Sequence, residues 1–212
     1  MTINTDVQTA LEWRYAVKQF DASKTIDASD WNTLENALHL SPSSFGIQPW
    51  QFIVVQDKTL RSQLRAASWN QSQVEDASHF VVLTAKKTMD VQYIDAYLNR
   101  IVEVRGVDPS SLDGYRNMIL GKASQPSQAI ESWTQRQVYI AMGMLLATAA
   151  MLKIDTCPLE GLSSADYDRL LNLTDTDYTT VAAVALGYRD IADKYSLAKK
   201  VRFDKESIIH YR

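Results

Sequence analysis

Residues 138–152 read VYIAMGMLLATAAML, and the run is apolar on every side. A helix with one apolar stripe rests on a core and shows its other face to water. A helix without a polar face has to be covered all round, in a core or a subunit interface. The run is shorter than the roughly 20 residues needed to cross a bilayer. It therefore predicts a buried central helix rather than a membrane span. The chain has 212 residues, 46% of them apolar, enough to build one sizeable domain over 1–212.

The remaining patterns arrange themselves around that helix. Residues 5–13 read as a short helix. A second helix starts at an Asp27 N-cap, repeats Trp31, Leu34, Ala37 and Leu38 at helical spacing, and ends before Pro42. WQFIVVQD, residues 50–57, is a strand pattern whose continuous apolar run predicts burial on both faces. Residues 57–67 and 69–76 read as short helices, and HFVVLTAKK, 79–87, as the second strand. Residues 90–120 read as helix broken between Gly106 and Pro109. Pro126 suits the first turn of the long helix ending near Leu152. TCPLEG, 156–161, is a short strand or turn, 163–172 a helix, and TTVAAVALGYRD, 179–190, the last strand. Strands are few and do not alternate regularly with helices, which predicts an α+β fold rather than a doubly wound parallel sheet. The tail, 190–212, carries DKYSLAKKVRFD, whose aromatic and basic content suits the wrapping of a partner subunit.

Charge and cysteine content narrow the function classes. A net charge of -3 lacks the basic footprint of a nucleic-acid binder. The single cysteine, Cys157, excludes an internal disulfide framework and reads as a small buried hydrophobe. MTINTDVQTALEWRYAV has neither the basic nor the apolar region of a signal peptide, so a cytoplasmic location is expected and the sequons at Asn70 and Asn172 carry no weight. His39, His79 and His210 lack metal-ligand spacing, neither nucleotide-binding glycine fingerprint occurs, and SLAK at Ser196 has no companion motifs.

Two features are harder to treat as ordinary. Arg14 and Lys18 end the first helix, and Lys199, Lys200 and Arg202 lie near the C-terminus. Each cluster alone reads as a solvated face, yet together they could converge on one phosphate, which guanidinium groups bind bidentately. The second is SPSSFGIQPW, 41–50, between a helix and a strand. Ser43 and Ser44 offer hydroxyls, Gly46 permits close backbone approach, and Gln48 is both donor and acceptor. Phe45 and Trp50 would help exclude water. Such a loop suits a flat heteroaromatic ligand with polar edges, or it is simply well packed around Pro49 and Trp50.

RYAVKQFD from Arg14, SPSSFGIQPWQFIVV from Ser41, PLEG from Pro158 and GYRDIADKYSLAKKVRFD from Gly187 occur in the order found in one family. On these stretches the chain resembles the nitroreductases, FMN-dependent NAD(P)H oxidoreductases. The likeness covers most of the chain and is weakest from about 88 to 128, a region that in this family varies and shapes the substrate pocket. The resemblance implies a nitroreductase-like α+β fold. Its central, mostly antiparallel sheet would be flanked by helices, in an intertwined homodimer whose C-terminal tails exchange between subunits. It implies FMN as cofactor, NADH or NADPH as donor, and a nitroaromatic, quinone or similar small aromatic acceptor, without nucleic acid or membrane as partner. Same-fold flavoproteins with another reaction, or a non-catalytic FMN-binding sensor, remain the alternatives.

Position by position, the resemblance places Arg14, Lys200 and Arg202 on the FMN phosphate, Lys18 at the pyrimidine edge of the flavin, and Asn70 on that same side. Pro158, Leu159, Glu160 and Gly161 match the segment that passes near N5. Ser43, Ser44 and Gln48 match the loop the other subunit supplies. Tyr15 and Ala16 stand where well-known members have His and Ser, Gly46 where many have Asn, and Gln73 where some have a second lysine. A lysine at the pyrimidine edge stabilises the negative charge of the reduced flavin. With Gln73 uncharged, that role falls more heavily on Lys18.

Overall fold

The structure is a computed structural model and describes residues 3–212, the side chains from residue 5 onward; residues 1 and 2 of the expected 1–212 span lie outside it. Four strands form one sheet: β1 (Trp50–Val54), β2 (His79–Lys86), β3 (Asp155–Leu159) and β4 (Tyr178–Gly187), in the order β1-β2-β4-β3. Each neighbouring pair is antiparallel. The α+β expectation holds.

Successive strand residues point to opposite faces, and both faces of β2 and β4 are covered. Val81, Leu83 and Ala85 meet α2 (Ala28–His39) and α7 (Ser127–Met151) through Leu34, Leu38, Val138, Ala141 and Leu145. Phe80 and Val82 face the other way, among Leu64 of α3 (Lys58–Ala66), Val74 of α4 (Gln73–Asp76) and Tyr167 of α8 (Ser164–Leu170). This double cover explains the unbroken apolar runs in the two central strands. A third cluster lies between α5 (Val91–Arg105) and α6 (Asp113–Ala123), where Ile94, Leu98, Ile101 and Ile119 enclose Ile47 and Trp133.

Several expectations need correction. β1 is a sheet edge, so Gln51 is exposed and Phe52, Ile53 and Val54 are only half-buried, not covered on both faces. The helix expected over 69–76 shrinks to α4, because Trp69 and Asn70 adopt left-handed backbone (φ 52° and 58°) that breaks a right-handed helix. Pro126 stands just outside α7, with Ser127 as the first helical residue. Asp27 caps α2 as expected, its side chain accepting from the Ser29 and Asp30 N–H groups. Within one chain α7 is buried against the sheet and neighbouring helices but not all round. Tyr139, Ile140, Met144 and Met151 are exposed, as are Val7 and Leu11 of α1 (Ile3–Trp13). No helix among the described residues is long and apolar enough to cross a membrane.

Candidate functional site

The chain leaves α1 at Trp13 and runs beside β3. Ala16 bridges Thr156 in parallel, and the Val17 N–H donates to the Thr156 carbonyl at 3.1 Å. This places Arg14, Tyr15, Ala16 and Lys18 along one wall of a cavity of about 600 Å³. The opposite wall is the C-terminal arm, with Tyr195, Ser196, Lys199, Lys200 and Arg202. Cations from the two ends of the sequence thus face one space. Among the described residues lining it, Glu12 is the acid.

The electrostatics there are strained. Burial, then the charge of Arg202, lowers the Arg14 pKa. Desolvation, then Arg14 and Arg202, lowers that of Lys200. The Lys200 ammonium donates to the Arg14 carbonyl, which fixes the arm but neutralises nothing. Arg14 Nε is buried and makes no hydrogen bond to any described residue. A buried guanidinium N–H without an acceptor is costly. An anion such as a phosphate fits this donor set, because it would accept from Arg14 and relieve the like-charge crowding.

Asp193, which the sequence reading passed over, holds the arm in place. It is 2% exposed and accepts from the Lys18 N–H at 2.9 Å, the Gln19 N–H at 3.3 Å, the Tyr15 hydroxyl at 3.2 Å and the Tyr195 N–H at 3.0 Å. Burial pushes its carboxyl up, but these donors outweigh that and the net shift is downward. Tyr15 is pushed up to about 12, first by burial. Arg189, also unanticipated, lies over Trp13 and Tyr15 at 4.3 and 4.6 Å and forks onto Asp155. The one available signal was acidic residues at 190 and 193 just past a strand, where side chains commonly bind backbone N–H groups.

Further along β3, Lys18 Nζ and Gln73 Nε2 both approach Cys157 Sγ, at 4.0 and 3.9 Å. Gln73 and Cys157 are buried, while Lys18 is exposed. Burial raises the Cys157 thiol, with Lys18 as the largest opposing influence. Beyond Pro158 and Leu159, Glu160 accepts from the Tyr139 hydroxyl and the Gly161 carbonyl accepts from Gln71 Nε2 at 3.0 Å. A Cβ on Gly161 would lie 2.7 Å from the Trp69 ring, so glycine lets that indole lie against the backbone. Asn70 bonds to Arg65 Nε through its Oδ1 at 3.0 Å. Arg14, Lys18, Gln73 and the 158–161 segment thus form a continuous run along one edge of the sheet.

Ser43, Ser44, Gly46 and Gln48 are not in that run, nor do they line the cavity. They form a separate loop whose one-turn helix, Ser44–Gly46, is anchored by the Ser44 N–H donating to Gln137 Oε1 of α7 at 2.8 Å. Ser43 Oγ accepts from the Gln48 N–H at 2.9 Å.

A two-layer helical wrap on a four-stranded antiparallel sheet, with cations from both termini around one cavity, defines the class. Residues 11–188 match the model of the nitroreductase family. A Staphylococcus saprophyticus protein named "putative NAD(P)H nitroreductase" is 32% identical over 214 residues, covering 95% of this chain and 94% of its own. A Staphylococcus aureus protein of the same name is 35% identical over 196 residues, 88% of each chain. The chain belongs to the nitroreductase family. Solved structures agree on the fold. A "putative nitroreductase" of Bacillus subtilis superposes with TM-score 0.87 at 18% identity, over 99% of this chain and 100% of that one. A "putative nitroreductase" of Exiguobacterium sibiricum, solved in complex with FMN, superposes with TM-score 0.81 at 20% identity, over 97% of each.

Proposed function

We propose that the chain is one FMN-binding domain over 1–212, working as a homodimer that oxidises NADH or NADPH and reduces a small aromatic acceptor such as a nitroaromatic or quinone. The observation that carries this reading is the buried Nε of Arg14, without a partner among the described residues, beside Lys200 and Arg202. Family membership and the FMN found in the Exiguobacterium relative support it.

Arg14, Lys200 and Arg202 would hold the cofactor phosphate. Lys18, with Gln73 behind it, would lie at the pyrimidine edge, and the backbone of 158–161 near N5, with Asn70 alongside. When bound, FMN supplies the chemistry itself, accepting a hydride from the nicotinamide and passing it on, so no side chain need serve as acid or base. The ammonium of Lys18 favours the more negative, reduced cofactor. Trp69, 81% exposed, gives an aromatic surface beside Gly161. Ser43, Ser44 and Gln48 would reach the cofactor of a second copy. The exposed apolar faces of α1 and α7 and the exposed tail residues Val201, Phe203 and Tyr211 suit burial against that copy, with the tails exchanged.

The purified protein should bind FMN at one per chain, with the absorbance of an oxidised flavin that bleaches when NADH or NADPH is added without oxygen. A colourless protein that takes up no added FMN would refute the cofactor; a yellow protein that no nicotinamide bleaches would refute the reductase.

A further inference from the structure

We propose that Tyr93, Tyr97 and Tyr115 are positioning residues that clamp the 43–48 loop in its flavin-facing shape, an inference that rests on the flavin reading above. The loop needs such a clamp. Phe45, Gly46 and Gln48 all have left-handed backbone, with φ of 57°, 63° and 52°. For Phe45 and Gln48 that conformation is unfavourable and persists only where surrounding contacts impose it.

The contacts are hydroxyl donors to the loop's own carbonyls. The Phe45 carbonyl accepts from the Tyr97 hydroxyl at 2.7 Å and the Tyr115 hydroxyl at 2.5 Å. The Gln48 carbonyl accepts from the Tyr93 hydroxyl at 2.6 Å, with the Ile47 carbonyl at 3.3 Å from it. Tyr93 and Tyr97 are one turn apart on α5, so both point from the same face. Tyr115 comes from α6, and its ring packs against Phe45 at 6.0 Å between centroids. Gly46 completes the fit, since a Cβ there would lie 2.6 Å from Tyr97 Oη. The glycine and the tyrosine hydroxyl occupy complementary space.

All three tyrosines come from one helical excursion, Tyr93 and Tyr97 from α5 and Tyr115 from α6. The clamp ties α5 and α6 to the loop that the second subunit's flavin would meet.

The test is the full-length Tyr97→Phe/Tyr115→Phe variant, compared with wild type in two measurements. The first is affinity for FMN and for riboflavin, which lacks the phosphate, by flavin fluorescence. The second is hydrogen exchange of the 44–48 amides in flavin-free protein. The clamp acts on the ring side, so both dissociation constants should rise by the same factor, about tenfold for two lost donors. Loop exchange should quicken in the flavin-free protein. Unchanged affinities, or a loss confined to FMN, would overturn the proposal. Should wild type bind neither flavin, the cofactor reading fails, while loop exchange still decides the clamp: faster exchange supports it and unchanged exchange overturns it. If the double variant does not fold, Tyr115→Phe, which keeps the Tyr97 bond, is judged by the same two measurements.

Discussion

Around Arg14, cations from the two chain ends crowd into one cavity and a guanidinium nitrogen lacks an acceptor among the described residues. Around residues 43–48, by contrast, a strained backbone has its carbonyls met by tyrosine hydroxyls. On the proposed reading, the first region is completed by its ligand. The second is finished in advance and offered outward. A binding site divided in this way separates affinity from shape. The charged half should gain stability when a phosphate arrives, and the loop should change little. A ligand that binds only the folded state stabilises it by mass action, so the difference can be measured.

The largest effect expected from breaking this contrast is at the charged half. Arg14→Ala removes a bidentate, charge-assisted donor worth about 3 kcal/mol, so the FMN dissociation constant should rise more than a hundredfold by titration. Its affinity for riboflavin should hardly change. At the loop, Gly46→Ala combines a left-handed alanine with a Cβ placed against Tyr97 Oη. It should cost roughly 1–3 kcal/mol in chemical denaturation. Adding Tyr97→Phe, which removes that oxygen, should make the pair cost less than the sum of the two.

Asp193 joins the two walls of the charged half, because it fixes both the Lys18 backbone and the start of the arm. Its pKa is lowered in the fold. A lowered carboxyl stabilises the fold above its unfolded pKa of about 3.9 and loses that contribution as pH falls through the lower folded value. Flavin retention should therefore weaken as pH falls below about 4 toward the lowered folded value. Asp193→Asn should loosen the arm even at neutral pH, seen as faster exchange at residues 194–202. The smallest effect belongs to Lys18→Ala. Losing about 1 kcal/mol of preference for the reduced cofactor lowers the two-electron midpoint potential by roughly 20 mV. An unchanged potential in a variant that still binds FMN would remove Lys18 from that role.

Much of this was legible in the letters. Helical spacing and β-branched runs located β2, β4, α2 and α7, because their signals are local and long. The cations at 14, 200 and 202 were legible as a possible phosphate site, and the fold brings them to one cavity. What stayed hidden depends on distant partners. That β1 is an edge follows from strand order, which its own residues do not encode. The shortening of α4 follows from two left-handed residues, of which Trp69 gives no hint and Asn70 only the weak one that asparagine tolerates such backbone. Asp193 acquires its role from backbone N–H groups 174 and 175 positions away. Nothing local to Tyr93, Tyr97 and Tyr115 shows that their hydroxyls would find the 45–48 carbonyls.

The central claim is that Arg14, Lys200 and Arg202 recognise the phosphate of a flavin mononucleotide. The ratio of riboflavin to FMN dissociation constants, in wild type and in Arg14→Ala, tests it most directly. The account predicts a wild-type preference for FMN of at least about a hundredfold, collapsing toward parity in the variant. Equal affinities in wild type, or a preference that survives Arg14→Ala undiminished, would contradict it.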